Sequence, residues 1–307
     1  MLSRVRRLRD IVHRVVQYAT GSFWNKFSRR PITGDAPVVV SLTSHGSRLS
    51  TVHHTIESIA AGAIRPRRLI LTLDSPEDAS AARSLRTLAR LRGRGLEILE
   101  VPRMGPHAKY YPYVVSIAEH PVPLVTADDD IIYPRNWLAE LTAAHRRQPD
   151  LIHCLRAHAF GIQDGKPAPY STWKPASTRR PSYSTFLTGV SGVIYPPAFL
   201  DQLREAGDAF RAVSPKADDV WLHAQALTAQ VRVAQIHETP RTYPVLLGTQ
   251  LSALWRHNTH GPVDSAGGAA LRTPNDEQIE RTYSQELFER IINDVNAPAN
   301  GETSSDS

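Results

Sequence analysis

Asp128, Asp129 and Asp130 stand side by side in the run ADDDIIYP, directly after the apolar stretch Pro123-Leu124-Val125-Thr126. Adjacent carboxylates repel one another, so such a triplet calls for a cation to offset it. If the chain is extended here, side chains alternate, and Asp128 and Asp130 share one side. Two oxygen donors on one side suit a hard divalent cation, Mg2+ or Mn2+, which also accepts oxygens from phosphate and water. A solvated acidic turn or a helix cap is the competing reading.

Three weaker signals accompany the triplet. Asp218 and Asp219 lie in Lys216-Ala217-Asp218-Asp219-Val220-Trp221-Leu222, where a helix is expected to open. One of the pair could cap that helix, or one could act as a general base that takes a proton from a hydroxyl. Gly105-Pro106-His107-Ala108-Lys109 sets a lysine after a glycine turn, placed to balance diphosphate charge or to be an ordinary loop lysine. His257 and His260 follow Leu254-Trp255 and offer a third metal ligand. His53 and His54 fall inside an expected helix and read as structural.

These residues need elements that bring them together. Val38 to Leu42 is a short β-branched run, as expected for a strand buried on both faces. Leu69 to Leu73, Leu96 to Val101 and Pro123 to Thr126 repeat the pattern, with helices expected over Thr51 to Ala61 and Ala81 to Leu91. Strands alternating with helices predict an α/β domain with a mostly parallel sheet flanked by helices. Ligands bind beyond the carboxyl ends of such strands. Thr43, Ser44, Asp74 and the aspartate triplet all fall there. Further on, residues 161–188 read as a long loop, Gly189 to Tyr195 as a glycine-softened strand, Asp219 to Ala229 as a helix and Val231 to Ile236 as a strand.

Composition narrows the field. The chain has 307 residues, a formal charge of +6 and a pI near 9.6, which favours phosphate-bearing partners. The single Cys154 excludes an internal disulfide and reads as a small buried residue. No stretch is apolar enough to cross a bilayer, and Arg4, Arg6, Arg7, Arg9 and Arg14 break any signal-peptide core. A cytoplasmic protein is expected. In residues 1–30, Leu2, Val5, Leu8, Val12, Val15 and Val16 recur at helical spacing with arginines opposite, followed by Phe23, Trp24 and Phe27. That basic amphipathic segment suits an anionic membrane surface, on the inner face of the membrane, or else packs on the chain's own domain. Residues 296–307 are polar and expected to be disordered.

Taken in order, Val38–Leu42, Asp74, Lys109, Asp128-Asp129-Asp130 and Asp218-Asp219 resemble a glycosyltransferase of the GT-A fold. The likeness is to bacterial relatives of the family 2 glycosyltransferases, through SLTSHGSRL, ADDDIIYP, GVIYPP and ADDVWL, over residues 37–260. The resemblance implies a single GT-A domain over 37–295 and a metal-dependent transfer of one sugar from a nucleotide sugar, a UDP-sugar favoured, to a hydroxyl. By the same resemblance, Thr43 and Asp74 would line the nucleoside pocket and Lys109 would lie near the nucleotide. Asp128, Asp129 and Asp130 match the D-x-D region, with Asp128 and Asp130 as metal ligands. Gly189 and Gly192 would line the donor-sugar and acceptor cleft, and Asp219 would be the base of an inverting reaction. Asp218 stands where glutamate is commoner, which leaves either carboxylate as the base. The Q-x-x-R-W motif of processive synthases is absent, so single transfers are expected, with a glycan or lipid-linked acceptor of the cell envelope. A nucleotidyltransferase would carry a glycine-rich loop after strand one, where this chain has only Gly46. A phosphohydrolase would need regularly spaced histidine ligands. Nucleic-acid binding lacks any of its usual motifs, so no nucleic-acid partner is expected; a protein that only binds lipid or nucleic acid remains the alternative from another class.

Overall fold

The computed structural model describes residues 20–246 and 273–297. The strands are β1 (Ala36–Thr43), β2 (Pro66–Leu73), β3 (Leu96–Glu100), β4 (Leu124–Ala127), β5 (Ile152–Cys154), β6 (Ala157–Ala159), β7 (Ile162–Gln163), β8 (Lys166–Pro167), β9 (Thr185–Leu187), β10 (Val193–Tyr195) and β11 (Val233–Gln235). Seven form the main sheet in the order β11-β5-β10-β4-β1-β2-β3. All its neighbours are parallel except β10, which runs antiparallel to both β4 and β5. The mostly parallel α/β sheet expected from the sequence is what forms.

β1 explains why its sequence is apolar throughout. Val38, Val40 and Leu42 pack into one core layer, and Val39 into the other. Each face is covered by helices: α1 (Val52–Ala60) joins the first layer, while Tyr110, Tyr113 and Val114 at α4 (Tyr111–Val115) join the second. Cys154 is fully buried in β5, as its surroundings predicted.

Several boundaries differ from the expectation. The helix expected over Ala81 to Leu91 is two helices, α2 (Pro76–Ser84) and α3 (Arg86–Arg92), because Leu85 adopts an extended conformation between them. Ser75 caps α2 through the Asp78 backbone N–H, with Pro76 in the first turn. The glycine-softened strand is shorter than expected, since Ser191 (φ 74°) and Gly192 (φ 111°) hold a turn and pairing begins only at Val193. The long loop carries its own order: β7 pairs with β8, and β9 returns to pair with β6. Helices α5 (Trp137–Arg147), α6 (Pro197–Ala206), α7 (Phe210–Val213), α8 (Asp218–Thr228), α9 (Pro274–Thr282) and α10 (Gln285–Asn296) complete the described chain. No described helix is long and apolar enough to cross a membrane.

Candidate functional site

Parallel pairing sets Thr43 beside Thr72 and Leu42 beside Ala127, so β1, β2 and β4 end together. The segments that follow them open on one edge of the sheet. Thr43 donates its hydroxyl to the Thr72 carbonyl at 2.9 Å. Asp74 accepts the backbone N–H groups of Met104 and Gly105 on one oxygen, at 3.0 and 2.7 Å. That carboxylate therefore holds the start of the loop that carries Lys109.

Past Ala127 the chain turns rather than staying extended. Asp129 points inward and is 4% exposed. Its two oxygens accept from Ser44 Oγ and Arg48 Nη1, each at 2.6 Å. Asp130 meets the other arm of the same guanidinium at 3.1 Å, and Asp128 accepts from Lys109 Nζ at 2.8 Å. Asp128 and Asp130 flank an inward Asp129 on a turn rather than on the extended chain that the alternation argument assumed, and they meet different cations. The charge offset that the triplet demands comes in part from the chain itself, through Arg48 and Lys109.

The second carboxylate pair opens α8, yet neither member caps it. The cap position is Ala217, with no side-chain cap. Asp219 instead accepts the Gly189 backbone N–H on Oδ1 at 2.8 Å. Burial, then the neighbouring Asp218, pushes the Asp219 carboxyl up to about 8, against the pull of Lys109 and the Gly189 N–H. For Lys109, burial alone would lower the pKa; Asp128, Asp218 and Asp219 outweigh it and hold the ammonium above its usual value.

Gly189 marks the point where these groups meet. A Cβ added there would lie 3.1 Å from Asp219 Oδ1 and 3.3 Å from Lys109 Nζ. Gly192 is constrained differently: its φ is positive, and a Cβ would meet the Trp137 ring at 2.8 Å. His107 ties the two loops of the site. Its ring stacks on Phe210 at 3.9 Å, and its Nε2 bonds the Ser214 carbonyl just before α8.

Arg48 and His107 escaped the sequence reading. Arg48 is one arginine among many, with no periodic partner. His107 sits inside the glycine–lysine motif that was singled out for Lys109 alone.

Asp128 and Asp130 are the carboxylates that would hold a divalent cation here, and each is paired with a side-chain cation. Asp128, Asp129 and Asp130 are paired with Lys109 and Arg48, and Asp218 and Asp219 also act on Lys109. The side chains of Asp128 and Asp130 keep 18% and 14% exposure, against 5% for Asp129. Among the described residues no three His, Cys, Asp or Glu side chains are grouped to hold a metal. Two carboxylates would leave the remaining positions to phosphate oxygens and water. Leu246 N–H donates to the Asp130 carbonyl at 2.7 Å, so the late segment does return to the turn; His257 beyond it lies outside the described residues.

Comparison with solved structures finds distant similarity to the mannosyltransferase PcManGT from Pyrobaculum calidifontis in complex with GDP-Man and Mn2+. Identity is 15% and TM-score 0.43, covering 74% of this chain and 63% of that one. GalNAc-T7 with UDP, GalNAc and Mn2+ is similar at 14% identity and TM-score 0.47, over 69% of this chain and 43% of that one. The 4-diphosphocytidyl-2C-methyl-D-erythritol synthase of Anaerococcus prevotii matches at 12% identity and TM-score 0.43, over 69% of this chain and 93% of that one. The chain spans less than two thirds of the length of the two sugar transferases it matches. No family model matches the sequence, and no curated protein does.

Proposed function

We propose that this chain transfers a single sugar from a nucleoside-diphosphate sugar, favouring a UDP-sugar, to a hydroxyl of a glycan or lipid-linked acceptor of the cell envelope. The observation that carries this reading is the meeting of Lys109, Asp128 and Asp219 around Gly189, at the carboxyl end of a parallel sheet.

Each group has a task that follows from its setting. Asp219 is the base. The Gly189 N–H occupies Oδ1, and Oδ2 takes the proton from the acceptor hydroxyl. The acceptor oxygen bonds to the anomeric carbon as the bond from that carbon to the diphosphate breaks, with inversion. A pKa near 8 puts this proton transfer close to neutral pH, where general bases work best. Lys109 keeps its positive charge beside Asp128, where it offsets charge gathering on the departing diphosphate. Arg48 holds the aspartate turn through Asp129 and Asp130. A divalent cation, Mn2+ or Mg2+, on Asp128 and Asp130 would supply further neutralising charge for the diphosphate.

The test is a thermal-shift panel of nucleoside diphosphates and their sugars, with and without Mn2+. A ligand at about 100 times its Kd stabilises the folded state by about 2.7 kcal/mol. A metal-dependent shift for one nucleotide, lost in Asp130→Ala, is expected. A folded protein that responds to no nucleotide sinks the reading. Pyrophosphate as the product would instead identify a nucleotidyltransferase, and inorganic phosphate a phosphohydrolase.

A further inference from the structure

The largest exposed apolar feature of the described surface lies far in sequence from the site. Residues 20–27 are helical, and they carry Phe23, Trp24 and Phe27 with 56%, 47% and 61% of their surface exposed. The rings form one patch, Phe23 lying 6.0 Å from Trp24 and 4.9 Å from Phe27. Among the described residues only Val115 and Val295 are comparably exposed large apolar side chains, and neither belongs to this patch.

The opposite face of the helix is locked onto the domain. Gly21 is buried, and a Cβ there would strike His54 at 2.6 Å. Asn25, 2% exposed, donates to Glu57 at 3.3 Å and to the Thr87 carbonyl at 3.1 Å. Glu57 is paired in turn with the buried Arg94, whose Nε donates to the Arg30 carbonyl. Rolling the aromatic rings inward would break the buried Asn25–Glu57–Arg94 contacts, so the patch is held outward.

A contiguous apolar patch on a fixed surface marks a place of contact. Charge selects the partner. Lys26 lies over the Phe27 ring, Arg29 and Arg30 follow closely in sequence, all three are exposed, and residues 20–34 contain no acidic side chain. The preceding nineteen residues add Arg4, Arg6, Arg7, Arg9 and Arg14 against one acid, Asp10. A second copy of this face would meet like charge. Aromatic rings among basic side chains match the boundary of an anionic bilayer. We infer that residues 20–30 dock the protein on an anionic lipid surface, with Phe23, Trp24 and Phe27 entering between headgroups and Lys26, Arg29 and Arg30 facing the lipid phosphates.

This inference does not rest on the transfer reaction, and its test reads no sugar chemistry. The full-length chain is co-sedimented with vesicles of phosphatidylcholine alone or mixed with phosphatidylglycerol. Binding to the mixed vesicles only is expected, weakening as salt rises. The triple change Phe23→Ser, Trp24→Ser, Phe27→Ser should lower vesicle affinity about tenfold or more while leaving the melting temperature unchanged. Lys26→Glu, Arg29→Glu, Arg30→Glu should do the same. Phe27→Ser alone, the most exposed position, keeps the test open should the triple variant fold poorly. Wild-type binding equal on both vesicles, or unaltered in the variants, overturns the inference. So does a protein that binds no vesicle but self-associates through the rings, which would make this face an interface between copies.

Discussion

The Asp128-Asp129-Asp130 turn and the Asp218-Asp219 pair sit at the mouth of the same sheet, on either side of Lys109, and the chain treats them in opposite ways. The triplet is met by positive charge at close range: Lys109 at Asp128, and both arms of Arg48 at Asp129 and Asp130. Asp219 receives one backbone N–H and a shared influence from Lys109, and it is half-buried beside a second carboxyl. In the proposed reaction the first arrangement would meet a phosphate group and its cation, and the second would be the proton acceptor, its pKa raised by its surroundings.

The sharpest way to break this comparison is Asp219→Asn. Turnover should fall about 10²- to 10⁴-fold with donor KM little changed, as for a lost general base. The same variant carries a stability signature. A carboxyl raised in the folded state keeps a proton that the unfolded chain releases, so its contribution falls as pH climbs from about 4, the unfolded value, to about 8 in the folded protein. Melting curves across that window should therefore slope less in Asp219→Asn than in the parent. An equal slope would show that Asp219 is not the acid with the raised pKa.

Next in size is Lys109→Met, which removes the cation common to both stations. Leaving Asp128 and Asp219 without it should reduce stability by about 3–5 kcal/mol in denaturant titration. It should also move the rising limb of the pH–rate profile upward, because Asp219 loses an opposing charge. Should the limb stay put, Lys109 does not set the base.

Smaller again is Arg48→Lys. A lysine keeps the charge but cannot bridge two carboxylates with one planar fork. A loss of about 1–3 kcal/mol is expected in metal-free melts. Added Mn2+ should recover more stability in this variant than in the parent, since the cation replaces charge that the turn has lost. Equal recovery would mean that Arg48 and the metal act on different carboxylates.

Much of the frame was legible along the chain. The β-branched run of β1 announces a strand because burial on both faces leaves no polar alternation to keep. The Asp triplet falls at a strand end because only four strand residues separate it from Pro123. Where the reading failed, local preference was overridden. Nothing in Ala81 to Leu91 forbids a single helix; Leu85 is extended where it packs, partly buried, against the first core layer. The Gly189 to Tyr195 stretch has strand composition, but the Trp137 ring against Gly192 and its hydrogen bond to the Ser191 carbonyl fold the first half into a turn.

The sequence by itself determined which chemical groups are present and the rhythm of the elements that carry them, since periodicity and side-chain type are local properties. Only the tertiary structure decided which charge answers which. Arg48 is 81 residues from Asp129, Lys109 is 19 from Asp128 and Gly189 is 30 from Asp219. A pKa or an ion pair depends on distance and burial in space, and neither is written in the spacing of residues along the chain.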